Sequence, residues 1–203
     1  MIFITGGARS GKSSFAEKLA AKRGPEVTYL ATAAPGDAEM RQRIESHRRS
    51  RPEGWQTLEV DGDLPGAVGR ALEGGGTVLI DCITIYLAGL MPQYDVGTGS
   101  GRGGEVADSN RDGKAADSGL DGAVAGDGRD GAVAEAEVER LVDVCRSGNG
   151  RVIIVGNEVG MGIVPASPLG RAFRDVAGRA NQQLAAAADE VYLCVSGIPL
   201  KVK

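Results

Sequence analysis

The chain opens Met1-Ile2-Phe3-Ile4-Thr5-Gly6-Gly7-Ala8-Arg9-Ser10-Gly11-Lys12-Ser13. An apolar run leads into a glycine turn, and residues 12–22 continue with Phe15 and Leu19 at helical spacing. Residues 6–13 fit G-x-x-x-x-G-K-[ST], the phosphate-binding loop. Gly6 and Gly11 permit the backbone angles that turn successive N–H groups inward around phosphate oxygens. Lys12 can bridge β- and γ-phosphates, Ser13 can ligate Mg2+, and a helix starting here directs its positive end at the anion. A dinucleotide fingerprint would need glycine where Ala8 stands, so the expected ligand is a nucleoside triphosphate.

Outward from this turn, short apolar runs alternate with helical patterns. Strands are expected over 1–5, 27–31, 55–59, 77–81, 152–157 and 190–196. Runs such as Val152-Ile153-Ile154-Val155 are continuous in β-branched residues, as strands are when helices cover both faces of a parallel sheet. Helices are expected over 12–22, 38–49, 64–72, 133–146 and 169–187. The alternation predicts an α/β fold with a mostly parallel sheet, in one domain spanning residues 1–203. A phosphate loop pairs with a carboxylate at the end of another strand, which holds magnesium directly or through water. Asp81, closing Thr77-Val78-Leu79-Ile80, is the candidate; the plainer reading is a turn aspartate after a strand.

Composition bounds the rest. The chain has 203 residues, a net charge of −4 and 32 glycines, about 16% against a usual ~7%. The acidic balance argues against a nucleic-acid partner. No run approaches the ~18 apolar residues needed to span a bilayer, and the apolar start is too short for a signal-peptide core. Cys82, Cys145 and Cys194 form neither a CxxC pair nor a disulfide framework, which suits a reduced, cytoplasmic compartment. Residues 97–131 hold 11 glycines and six aspartates without one aromatic residue. Such a stretch reads as a disordered surface insertion, with an ordered binding loop as the alternative.

His47, the one histidine, lies within Arg43-Ile44-Glu45-Ser46-His47-Arg48-Arg49-Ser50-Arg51-Pro52. Clustered arginines suit phosphate recognition and keep a neighbouring imidazole neutral, hence nucleophilic. A solvated basic helix end accounts for the same residues equally well. Glu158, just past the 152–157 run, falls on the sheet edge where α/β ligands bind. Two roles are open to it: orienting a substrate hydroxyl or metal-bound water, or a structural loop hydrogen bond. Met161 and Ile163 are either plain packing or a substrate surface.

Several segments together resemble one family. They are Thr5–Ser13, Ala31-Thr32-Ala33, Arg43-Ile44-x-x-His47 with Arg51-Pro52, Asp81-Cys82-Ile83-Thr84, and Asn157-Glu158-Val159-Gly160-Met161-Gly162-Ile163-Val164-Pro165. Phe173-Arg174-Asp175, Gly178-Arg179-x-Asn181-Gln182 and Ala188-Asp189-Glu190-Val191 extend the likeness to the tail. The chain resembles the bifunctional adenosylcobinamide kinase / adenosylcobinamide-phosphate guanylyltransferases of cobalamin biosynthesis, everywhere except about 95–134. The resemblance implies a three-layer P-loop NTPase fold akin to the recombinase core, and a homotrimer. It implies phosphorylation of the aminopropanol hydroxyl of adenosylcobinamide by ATP or GTP, with Mg2+. GMP then passes from GTP through a histidine to adenosylcobinamide phosphate. By position, His47 is that histidine. The loop Gly6, Gly7, Ala8, Arg9, Ser10, Gly11, Lys12 and Ser13 binds phosphates. Ala31, Thr32, Ala33, Arg48, Arg49, Ser50, Arg51, Glu59 and Asp81 fall where the family contacts GTP. The chain departs from the family in the 97–131 insertion and in Asp81, where the family often has glutamate.

Overall fold

Parallel strands covered on both faces need apolar side chains on both, and the Val/Ile/Leu runs meet that need. The computed structural model describes residues 1–32, 42, 51–52, 54–60, 62–91 and 129–203. Strands β1 (Ile2–Gly6), β2 (Val27–Ala31), β3 (Gln56–Glu59), β4 (Thr77–Asp81), β5 (Arg151–Val155), β6 (Glu190–Val195) and β7 (Ile198–Lys201) form one sheet. Their order is β3-β2-β4-β5-β1-β6-β7. All neighbours pair parallel except β6 and β7, which are antiparallel.

Alternation along each strand divides the core in two. Ile2, Ile4, Val27, Tyr29, Leu79, Ile153 and Val155 face α1 (Lys12–Ala21), which contributes Ala16 and Ala20. Phe3, Leu30, Val78, Ile80, Val152 and Ile154 face the opposite way. There they meet α2 (Leu64–Glu73), α3 (Ile83–Gly89), α4 (Arg129–Ser147) and α5 (Pro168–Ala187). Helix starts are chemically marked: Asp63 accepts the Gly66 N–H at 3.1 Å before α2, and Ser167 accepts the Gly170 N–H at 3.1 Å before α5.

All six expected strands fall within two residues of their predicted ends, the largest difference being at β5, which stops at Val155 rather than residue 157. Two elements were not expected. Helix α3 is a seven-residue apolar stretch buried on most sides, so it shows no polar face. Strand β7 carries Pro199, which a central strand excludes but an edge strand tolerates. The expected insertion also ends too late, since α4 begins at Arg129 and takes in Gly131. The rest of that insertion lies outside the described residues, as does the helix expected over 38–49 apart from Gln42, which is helical.

Ile154 is fully buried in a central strand. Ile154→Ala should cost about 2–5 kcal/mol in urea unfolding. A loss under about 1 kcal/mol would contradict this placement of the core.

Candidate active site

In a parallel sheet every strand delivers its C-terminal end to the same edge. Glu59, Ala31, Asp81, Val155, Ile4 and Tyr192 share one register row just inside that edge. Beyond Ile4 the chain leaves β1 at Gly6 and turns through residues 7–11 into α1. Gly6 has φ 153°, and a Cβ there would stand 2.4 Å from the Cys194 carbonyl oxygen of β6. Gly11 caps α1 in the left-handed region at φ 88°. The Gly197 N–H donates to the Ser10 carbonyl at 2.9 Å, fastening the turn to the β6–β7 connection. No side chain caps α1, and its first turn carries no acid. Its leading N–H groups therefore point at whatever fills the turn.

Lys12 is buried inside this turn, its Nζ donating to the Gly7 carbonyl at 2.9 Å. Among the described residues it has no carboxylate in ion-pair range. Burial holds its pKa below the ordinary lysine value, opposed by Cys82, Asp81 and Cys194 at longer range. The Ser10 and Thr5 hydroxyls are also buried and lack partners among the described residues. An unpaired buried ammonium facing open helix N–H groups is costly alone and well suited to a polyanion.

Asp81 ends β4 beside this turn, and its Oδ2 accepts the Tyr29 hydroxyl at 2.9 Å. Burial first, then the Asp81 charge and that bond, push the Tyr29 phenol well above its usual range, against the pull of Arg51. Thr32 is committed elsewhere: its hydroxyl donates to the Cys82 carbonyl at 2.7 Å and accepts the Cys82 N–H at 2.9 Å. Its side chain thus locks the end of β2 to the end of β4. Arg51 lies with its Cζ 3.5 Å from the Tyr29 ring centroid, and its Nη1 donates to Thr57 Oγ1 at 3.1 Å. Glu17 of α1 faces the same group; burial first, then Asp81, raises its carboxyl pKa, while Arg51 acts against the rise.

The predicted residues Gly6–Ser13, Ala31, Thr32, Glu59 and Asp81 thus share one sheet edge. Glu158 joins them, because its N–H donates to the Gly6 carbonyl at 3.0 Å. Its own Oε1 accepts the Gly160 N–H at 2.8 Å. Ala33, His47, Arg48, Arg49 and Ser50 lie outside the described residues. Sequence reasoning missed Tyr29, Thr57 and Glu17. A tyrosine inside an apolar strand reads as core, and only the register with β3 and β4 discloses its neighbours.

The matches to known proteins agree with this architecture. A sequence model of the family described as cobinamide kinase / cobinamide phosphate guanyltransferase matches residues 2–202. The bifunctional adenosylcobalamin biosynthesis protein CobU of Escherichia coli K12 is 41% identical over 203 residues, covering 100% of this chain and 99% of its own. Its counterpart in Salmonella typhimurium LT2 is 40% identical with the same coverage. The bifunctional adenosylcobalamin biosynthesis protein CobP of Pseudomonas aeruginosa is 36% identical over 200 residues, 98% of this chain and 95% of its own. The class is therefore a transferase of cobalamin biosynthesis, kinase and nucleotidyltransferase together. The chain belongs to the cobinamide kinase / cobinamide phosphate guanyltransferase family. Among the described residues, no helix is long and apolar enough to cross a membrane.

Gly6 and Gly7 make a paired test of the turn, since a Cβ at Gly7 meets nothing within 4 Å. Gly6→Ala should destabilise the protein by about 1–3 kcal/mol, as strained backbone does, and Gly7→Ala by no more than about 0.5 kcal/mol. Equal melting temperatures for the two variants would contradict the close approach of β6.

Proposed function

We infer that this protein phosphorylates the aminopropanol hydroxyl of adenosylcobinamide with ATP or GTP and then moves GMP from GTP through His47 to adenosylcobinamide phosphate. The product of the second step is adenosylcobinamide-GDP. The observation that carries this reading is the buried, unpaired Lys12 at the open end of α1. A phosphate chain offers that ammonium and those N–H groups the negative charge and acceptors they lack. The strand order adds support, because one strand, β5, separates the loop strand β1 from the acid strand β4. Two strand spacings, about 10 Å, leave room for a phosphate chain between Lys12 and Asp81. On this reading the fold is a three-layer P-loop NTPase of the recombinase-core type, a single domain over 1–203 with an insertion near 97–131. The protein works as a cytoplasmic homotrimer.

Mg2+ fits the residues present. Magnesium is usually held by one or two carboxylates, waters and substrate phosphates rather than by an all-protein cage. Among the described residues no cluster of three or more His, Cys, Asp or Glu side chains exists, whereas Asp81 and Ser13 flank the turn. The ion would be held by the Ser13 hydroxyl and Asp81, and would neutralise charge on the phosphates. Lys12 and the loop amides bind the same charge, and Glu158 orients the corrinoid hydroxyl.

In the second reaction a ring nitrogen of His47 attacks the α-phosphorus of GTP. An N–P bond forms, the bond to the bridging oxygen breaks, and pyrophosphate leaves from the cradle of loop amides and Lys12. A phosphate oxygen of adenosylcobinamide phosphate then attacks the same phosphorus and frees the imidazole. Arg48, Arg49, Ser50, Arg51, Ala31, Thr32, Ala33 and Glu59 line the nucleotide.

GTP labelled at the α-phosphate should leave an acid-labile, alkali-stable adduct on the protein, and γ-labelled GTP should leave none. Peptide mass spectrometry should place GMP on His47, and His47→Asn should abolish both the adduct and adenosylcobinamide-GDP formation. Arg51→Ala should slow labelling by about tenfold, the worth of one charge-assisted contact. An adduct on another residue would overturn His47 as the nucleophile, and none on active wild-type protein would leave a kinase alone.

A further inference from the structure

Tyr29 stands where three groups of the site meet. On β3, Thr57 is its register partner; on β4, Leu79 is, and Asp81 follows two residues later on the same face. The ring is buried, and the face it shares with Thr57 and Asp81 is the one covered by α1, from which Glu17 reaches the cluster. Arg51 comes to this row from the chain before β3. It spans the pair, its Cζ over the Tyr29 ring at 3.5 Å and its Nη1 on Thr57 at 3.1 Å. On the other side, the Tyr29 hydroxyl holds Asp81 Oδ2 at 2.9 Å.

This is an unusual way to hold an arginine. Arg51 has no carboxylate within ion-pair range among the described residues, and its buried Nε has no partner there. A ring face and a neutral hydroxyl fix the position of a guanidinium without cancelling its charge. A guanidinium held in this way keeps donors free for forked bonds to a phosphate.

We propose that Tyr29 is a positioning residue for guanylyl transfer, its ring presenting Arg51 to the nucleotide phosphates while its hydroxyl aims Asp81 at the other side of the same phosphate chain. The proposal rests on the function inferred above. It adds a physical link between the two charged arms of the site.

The test is a mutant cycle on the initial rate of α-label transfer from saturating GTP. Tyr29→Leu should slow transfer by about tenfold, a cation–π contact of order 1–2 kcal/mol. Arg51→Ala should slow it comparably, and the double variant should be no slower than Arg51→Ala by more than about threefold, the share of the Asp81 arm, because the ring acts through Arg51. Tyr29→Phe keeps the ring and should label within about threefold of wild type. With a fluorescent GTP analogue, Tyr29→Phe should match wild-type affinity without Mg2+ and lose part of the gain that Mg2+ gives, since only the Asp81 arm is released. If Tyr29→Leu does not fold, Tyr29→Met takes its place in the cycle. Multiplicative losses in the double variant, or wild-type labelling by Tyr29→Leu, would overturn the positioning role. No label on wild-type protein would instead overturn the guanylyltransfer reading beneath it, and this role with it.

Discussion

A buried ammonium with no carboxylate in ion-pair range among the described residues is the constraint around which this molecule is arranged. Lys12 sits inside the turn after β1, where the Gly7 carbonyl is its one hydrogen-bond partner among the described residues. Its pKa is depressed by burial, so the folded protein bears the cost of an underhydrated cation. Nearby features work in the same direction. The first turn of α1 lacks an acid and a side-chain cap, and the Asp81 carboxylate accepts a hydrogen bond from Tyr29. A site so arranged suits a polyanion, and the family to which the chain belongs is one of kinases and guanyltransferases.

The sheet supplies the geometry that this chemistry requires. Parallel pairing brings the ends of β1, β2, β3 and β4 to one edge, and the register row from Glu59 to Ile4 keeps them level. Close backbone approaches then hold the parts still. Gly6 lies against the Cys194 carbonyl, Thr32 clasps both backbone groups of Cys82, and the Glu158 N–H reaches the Gly6 carbonyl. Cradle, acid and the loop bearing Glu158 are thus joined by backbone contacts, and backbone contacts give a site its precision.

Much of this was legible in the sequence. Residues 6–13 match a pattern in which each fixed residue type answers a demand of phosphate geometry, and the structure brings them to one sheet edge with Asp81, the acid that ends an apolar run. The alternation of Val-rich runs with helical patterns was enough for an α/β fold with a parallel sheet, but not for the order of its strands. What escaped is whatever depends on register or edge position. Helix α3 shows no amphipathic period because Ile83, Thr84, Tyr86, Leu87 and Ala88 are all buried. Strand β7 hides behind Pro199. Tyr29 reads as core until the pairing of β2 with β3 and β4 places Thr57 and Asp81 on its face. Thr32 lies at the edge where the resemblance puts the nucleotide, and only the pairing of β2 with β4 discloses that its hydroxyl clasps both backbone groups of Cys82.

If Lys12 is held at a cost for the sake of the phosphates, replacing it with an apolar side chain of similar length should separate stability from function. The direct measurement is thermal unfolding of wild type and Lys12→Met, each without ligand and with Mg2+ and GTP. The account predicts a higher melting temperature for Lys12→Met in the absence of nucleotide and no further rise on adding GTP, while wild type rises. A ligand-free variant less stable than wild type that still gains stability from GTP would contradict it.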